Sequence, residues 1–187
     1  MINVSWKINE VIRSEKELYF TNSKVYLNDW FLNSETFQIW KFQKALRYAE
    51  FYSQKKDTLT GRLLWAIWKR RKNTLGARLG FSIPENVFDI GLRIFHTGSI
   101  SINPNAKVGK NCILVGNNCI GSNDGIQKSA SIGSNCIMGY GSSVIGEVYL
   151  GNNIKIGAGA VVVHSFQEDN ISLVGVPSKV TKRSCKR

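Results

Sequence analysis

His96 and His164 are the only two imidazoles in the chain, and they bound its chemistry. An imidazole titrates near neutrality, so it can take the proton of a hydroxyl that is otherwise a weak nucleophile. Two histidines are too few for a three-histidine zinc site. Cys112, Cys119, Cys136 and Cys185 show no paired metal-ligand spacing, and three of them fall inside a six-residue repeat as small space fillers. They read as structural thiols, and no metal is expected. His164 follows the last strong repeat and reads as a surface residue. His96 is harder to place. Counting back six residues from Ile102 lands on it, an inward position, and spacing alone makes it a buried histidine satisfied by a backbone carbonyl.

The element that must hold these side chains is that repeat. From Ile102 to Val162 an aliphatic residue or Met138 recurs at every sixth place, eleven times in one phase. Two places earlier stands a small or aliphatic residue, as at Ala106, Cys112, Cys136 and Ala160, and glycine often follows, as at Gly109 and Gly133. An amphipathic helix repeats near 3.6 residues and a plain strand near two, so neither fits. Short strands separated by turns do fit, and stacked units bury one apolar column that none could bury alone. With three sides per turn, Ile102 is expected to stack on Ile120, then Met138, then Ile156. An ordinary all-β domain with regular turns is the weaker alternative. The polar stretch 121–131 is expected to bulge as a loop, with Ile126 still in phase. The organisation that follows is residues 1–80 as an N-terminal α-helical region, 81–178 as the repeat domain and 179–187 as a basic tail.

Residues 1–80 differ in composition. They hold all five tryptophans, whereas fourteen of the seventeen glycines lie beyond them. Helices are expected over 6–19, from an N-cap at Ser34 to Tyr52 with Ser53 to Asp57 breaking the pattern, and over about 59–75, with Gly76 and Gly80 loosening the last one's end. The formal net charge of +12 calls for an anionic partner without naming it. Nucleic acid is disfavoured, because no helix-turn-helix signal, zinc-finger spacing or aromatic strand motif accompanies the charge. The stretch Trp65 to Lys72 has two readings. It is a basic amphipathic helix lying on acidic lipid, or a helix packed through its aromatics with its cations in water; the second is preferred. No run of apolar residues is long enough to span a membrane, and Lys7, Glu10, Arg13 and Glu15 interrupt the N-terminus too early for a signal peptide. A cytoplasmic location is expected.

The repeat resembles that of the hexapeptide-repeat acyltransferases, whose fold is a left-handed parallel β-helix. Gly91-Leu-Arg-Ile-Phe-His96-Thr-Gly98 resembles the catalytic histidine segment of the serine O-acetyltransferase branch, Asn103 to Cys112 its next coil, and Gly175-Val-Pro-Ser-Lys179-Val its closing motif. The helical residues before Phe81 look most like those of capsular or lipopolysaccharide saccharide acetyltransferases in that branch. The resemblance implies a homotrimer with acetyl-CoA in a groove between subunits, and His96 as the base that deprotonates the acceptor hydroxyl. It further implies that Gly139, Gly141, Ser142, Gly157, Gly159 and Ala160 line the pantetheine path. Lys179, with Lys182 and Arg183, would meet the CoA phosphates. No serine or cysteine has a recognisable partner base, so direct transfer is expected rather than an acyl-enzyme. With two histidines, the carbonic anhydrases built on the same repeat are excluded.

Two departures bear on the acceptor. The branch holds an upstream aspartate where this chain has Ser82, and a second histidine near Ser129-Ala130. Their absence points to a saccharide hydroxyl in surface polysaccharide biosynthesis, with serine O-acetylation as the alternative and a non-catalytic trimeric β-helix scaffold as a third reading. Glu85 and Asp89 are candidates for the group that orients His96.

Overall fold

The computed structural model describes residues 7–123 and 128–183, the last two through their backbone alone. Ile126 and Cys185 lie outside the described residues, as does Trp6. Four helices come first: α1 (Ile8–Glu17), α2 (Ser23–Phe31), α3 (Glu35–Ser53) and α4 (Leu59–Leu79). Ser34 caps α3, its hydroxyl accepting from Phe37 N–H at 3.1 Å, and Thr58 caps α4 by accepting from Gly61 N–H at 3.0 Å. α4 outruns its expected end and stops at Gly80, whose φ of 81° turns the chain left-handed. Gly76 does not loosen it. A Cβ there would come within 2.6 Å of the Phe81 carbonyl oxygen, so this glycine lets α4 and the first strand approach closely. α2 was not expected. It buries no residue fully and so has no apolar stripe for a sequence to display.

The strands β1 (Phe81–Ser82), β2 (Arg93–Ile94), β3 (Ile100–Ile102), β4 (Lys107–Val108), β5 (Ile113–Leu114), β6 (Cys119–Gly121) and β7 (Ser131–Ile132) begin the repeat. It continues through β8 (Ile137–Met138), β9 (Ser143–Ile145), β10 (Tyr149–Leu150), β11 (Lys155–Ile156), β12 (Val161–Val162), β13 (Ile171–Val174) and β14 (Lys179–Arg183). From β2 to β12 the chain visits three sheets in rotation, ordered β1-β3-β6-β9-β12, β4-β7-β10 and β2-β5-β8-β11-β13-β14. All pairings are parallel except that of β13 with β14. The aliphatic residues of the repeat face inward and form one continuous core. Residues 179–183 therefore begin as a paired strand and not as a free tail.

The stacking order departs from a uniform eighteen-residue coil. Ile102 does pair with Ile120, but Ile120 pairs with Val144, and Met138 sits between Leu114 and Ile156. One coil is longer by a whole six-residue unit, the extra residues falling between β6 and β7. One corner shows how such a coil turns without glycine. Asn111, Asn135, Asn153 and Asn170 hold φ values of 55°, 58°, 56° and 61°. Each directly precedes an inward residue, and asparagine tolerates this left-handed geometry better than other side chains.

The first coil ends the stack on the helical side, and its peptide groups would lack partners there. Side chains from the helices supply them. Arg47 donates to the carbonyls of Phe88 (2.9 Å) and Asp89 (2.7 Å), Gln43 to that of Leu92 (2.7 Å) and Lys72 to that of Ile83 (3.1 Å). In return Glu15 accepts from Gly91 N–H, Glu50 from Asn86 N–H and the Tyr19 hydroxyl from Ile94 N–H, each at 2.9 Å. This explains why Glu15, Gln43, Arg47 and Glu50 are buried: each satisfies backbone that water cannot reach.

Candidate active site at a coil corner

His96 lies on the corner between β2 and β3. Elsewhere this corner spans six residues between inward positions, as from Leu114 to Ile120; here Ile94 and Ile102, which pair with those two, are eight apart. The two extra residues swing His96 out of the column, and its side chain is 57% exposed. The turn over 95–98 is irregular, and the buried-histidine reading falls with it.

A carboxylate reaches this corner from outside the repeat. Glu35, the first residue of α3, accepts from the backbone N–H of Thr97 at 2.6 Å and from its hydroxyl at 2.8 Å. Its other oxygen lies 3.8 Å from His96 Nδ1, at ion-pair range and short of a hydrogen bond. The Thr97 contacts, with a smaller contribution from His96, hold the Glu35 carboxyl below its usual range. With Nδ1 towards Glu35, Nε2 is the nitrogen left for a reacting partner. Spacing along the chain offered no route to Glu35, since the contact crosses from a helix to the repeat. The nearby candidates are engaged elsewhere: Glu85 accepts from Trp65 Nε1 at 3.1 Å, and Asp89 accepts from Ile90 N–H at 2.7 Å.

Beside His96 the corner continues coil by coil. A Cβ on Gly116 would come 3.3 Å from the His96 Cβ and 3.0 Å from the Tyr140 ring, so glycine here lets those two side chains flank it. Asn117 donates to the Tyr140 hydroxyl at 2.7 Å and accepts from Ser99 N–H at 2.7 Å. Beneath the surface Asn118 donates to the Gly139 carbonyl and the Ser142 hydroxyl and accepts from Gly116 N–H, which fixes the corner from inside.

The expected donor-site residues divide. Gly141 and Gly159 lie on this same corner with φ of 68° and 66°, and the space where a Cβ would point is open at both. Gly139 and Gly157 are glycine for another reason, since a Cβ would meet Ala158 N at 2.7 Å and a Val174 methyl at 2.9 Å. Their smallness serves coil-to-coil packing. Ser142 and Ala160 are corrected outright: both are fully buried and face the column. Lys179 is exposed on β14. His164 is exposed, as expected. Among the described residues no cluster of three or more His, Cys, Asp or Glu is placed to hold a metal.

No protein-family model matches the chain. A curated serine acetyltransferase of Buchnera aphidicola is 25% identical over 96% of this chain and 76% of its own length. One from Bacillus licheniformis is 30% identical over 66% of this chain and 66% of its own length. Another from Synechococcus elongatus is 31% identical over 58% of this chain, which spans only 41% of that relative. Among solved structures, serine acetyltransferase in complex with coenzyme A from Brucella abortus matches with a TM-score of 0.68 at 18% identity, over 95% of this chain and 68% of that one. The Neisseria gonorrhoeae serine acetyltransferase in complex with serine gives 0.67 at 20%, over 94% and 69%. These two likenesses concern the fold. The names of the curated relatives overturn the expectation of a saccharide acceptor. That expectation rested on missing charge at Ser82 and Ser129-Ala130, whereas the carboxylate beside His96 comes from α3.

Proposed function

The chain belongs to the hexapeptide-repeat acyltransferases, and on that premise we propose that it transfers an acetyl group from acetyl-CoA to the hydroxyl of serine. The observation that carries the reading is the corner itself: an outward imidazole heads a strip whose next coils present the open faces of Gly141 and Gly159. The rotation through three sheets is read as a left-handed β-helix, with the donor lying along that strip and a second copy of a trimer closing the groove. The shared fold with structures holding CoA or serine supports this arrangement.

In the proposed reaction His96 Nε2 removes the serine hydroxyl proton as the oxygen attacks the thioester carbonyl. The carbon–sulfur bond then breaks, and the imidazolium returns the proton to the departing CoA thiolate, leaving O-acetylserine. Glu35 holds the ring with Nδ1 inward and offsets the charge it gains. The test is direct. Purified protein with acetyl-CoA and L-serine is expected to release free CoA thiol, with O-acetylserine seen by mass; no release above the rate without serine overturns the acceptor.

Glu35→Gln removes the charge but keeps an acceptor for Thr97. We expect kcat to fall about tenfold, less than for a buried triad carboxylate because this pair is half exposed. The lowered carboxyl stays ionised above its usual range and is lost only as pH falls through its lowered value. The ratio of wild-type to variant kcat is therefore expected to be flat from about pH 8 to 9, above the range where imidazoles ordinarily titrate. Steady-state assays across that window check it.

A further inference from the structure

The helical end carries a surface that acetyl transfer does not use. A groove of about 540 Å³ is lined by Lys41, Arg70, Arg71 and Arg78 above Ile67 and Leu75, without an acidic residue. An adjoining cleft shares Lys41 and Arg71 and adds Lys44 beside Trp30. None of these five cations forms an ion pair among the described residues. The outer face of α4 leads into the groove. Leu59, Leu63 and Ile67, spaced by four residues and so on one stripe, are 83%, 61% and 51% exposed. The aromatics of α4 are engaged off this stripe, Trp68 stacking on Tyr48 with ring centroids 4.4 Å apart at the border of the adjoining cleft and Trp65 bonded to Glu85. The sequence reading of a helix packed by its aromatics thus holds for the tryptophans and misses the aliphatic stripe behind them.

We propose that this face docks on an anionic lipid bilayer, with Leu59, Leu63 and Ile67 under the headgroups and the cation cluster at the lipid phosphates. Aliphatic side chains running into unpaired arginines on one helix face match the depth profile of a bilayer surface, apolar below and anionic at the boundary. Among the described residues no helix is long and apolar enough to cross a membrane, and the proposed contact is with the surface. A second copy of the chain fits less well, since a two-fold contact would set the same cations against one another.

The full-length protein is sedimented with phosphatidylcholine vesicles and with vesicles containing about 30% phosphatidylglycerol, at low and at about 0.5 M salt. Binding is expected only to the anionic vesicles and only at low salt. Each cation is worth about fivefold in partitioning, so Arg70→Gln with Arg71→Gln weakens binding roughly thirtyfold. Leu63→Ser with Ile67→Ser also releases the protein, while both double variants keep the wild-type circular dichroism. Equal binding to both vesicle types, no binding to either, or wild-type binding by the variants overturns the proposal. So does self-association in sedimentation velocity that Leu63→Ser with Ile67→Ser dissolves, which assigns the face to a second copy.

Discussion

His96→Ala is expected to lower the rate of CoA release with L-serine about 10²–10⁴-fold, the usual weight of general-base help, with thermal stability unchanged. The ring is more than half exposed and its ion-pair partner, Glu35, keeps both Thr97 contacts without it, so the fold has little to lose. The loss should fall on kcat, because proton transfer occurs in the transition state and adds nothing to ground-state binding. Assay of free thiol beside a melting curve separates the two. A variant that turns over at the wild-type rate removes His96 from the mechanism, and a non-catalytic scaffold would show no serine-dependent rate in either protein.

The largest effect on stability is expected from Arg47→Ala. Its guanidinium meets Glu15 at 2.8 Å and Glu50 at 2.7 Å, all three side chains being buried, and donates to two carbonyls of the first coil. Deleting it strands two carboxylates and two carbonyls together. Breaking a buried pair from one side costs about 3–5 kcal/mol, against a total stability of about 5–15 kcal/mol for a domain. At this chain length that lowers the melting temperature by roughly ten degrees or more. The pH dependence has a definite sign. Burial already raises the Glu50 carboxyl, despite the opposing pull of Arg47, and removing Arg47 raises it further. The deficit should therefore be largest at neutral pH and shrink on acidification, as the stranded carboxyls take up protons at less cost. Calorimetry of both proteins at a few pH values checks the magnitude and the trend.

Much of this architecture is legible in the residues. The sixfold recurrence fixes which side chains face inward, and Ser34 marks where α3 starts. Where counting failed, it failed at departures from period. Ile120 meets Val144 and not Met138, because one coil carries an extra unit, and His96 faces outward because its corner is two residues longer than the others. Glu35 was invisible for a different reason. It is read in the chain as an ordinary first-turn acid of α3, a favourable place for negative charge near a helix start. Only the docking of that helix on the first coil brings it to His96. The glycines show the same limit, since Gly139 and Gly141 look alike in sequence while one faces the next coil and the other open space.

The last pairing in the third sheet also governs what the molecule cannot become. A stack of parallel coils presents at its far end the groups that would accept another coil, and hence another molecule. β14 runs back against β13 and occupies that side of it in the opposite direction. An incoming chain of the same winding meets a strand of opposite polarity, and the five residues of β14 remove the parallel template for end-to-end growth on that side.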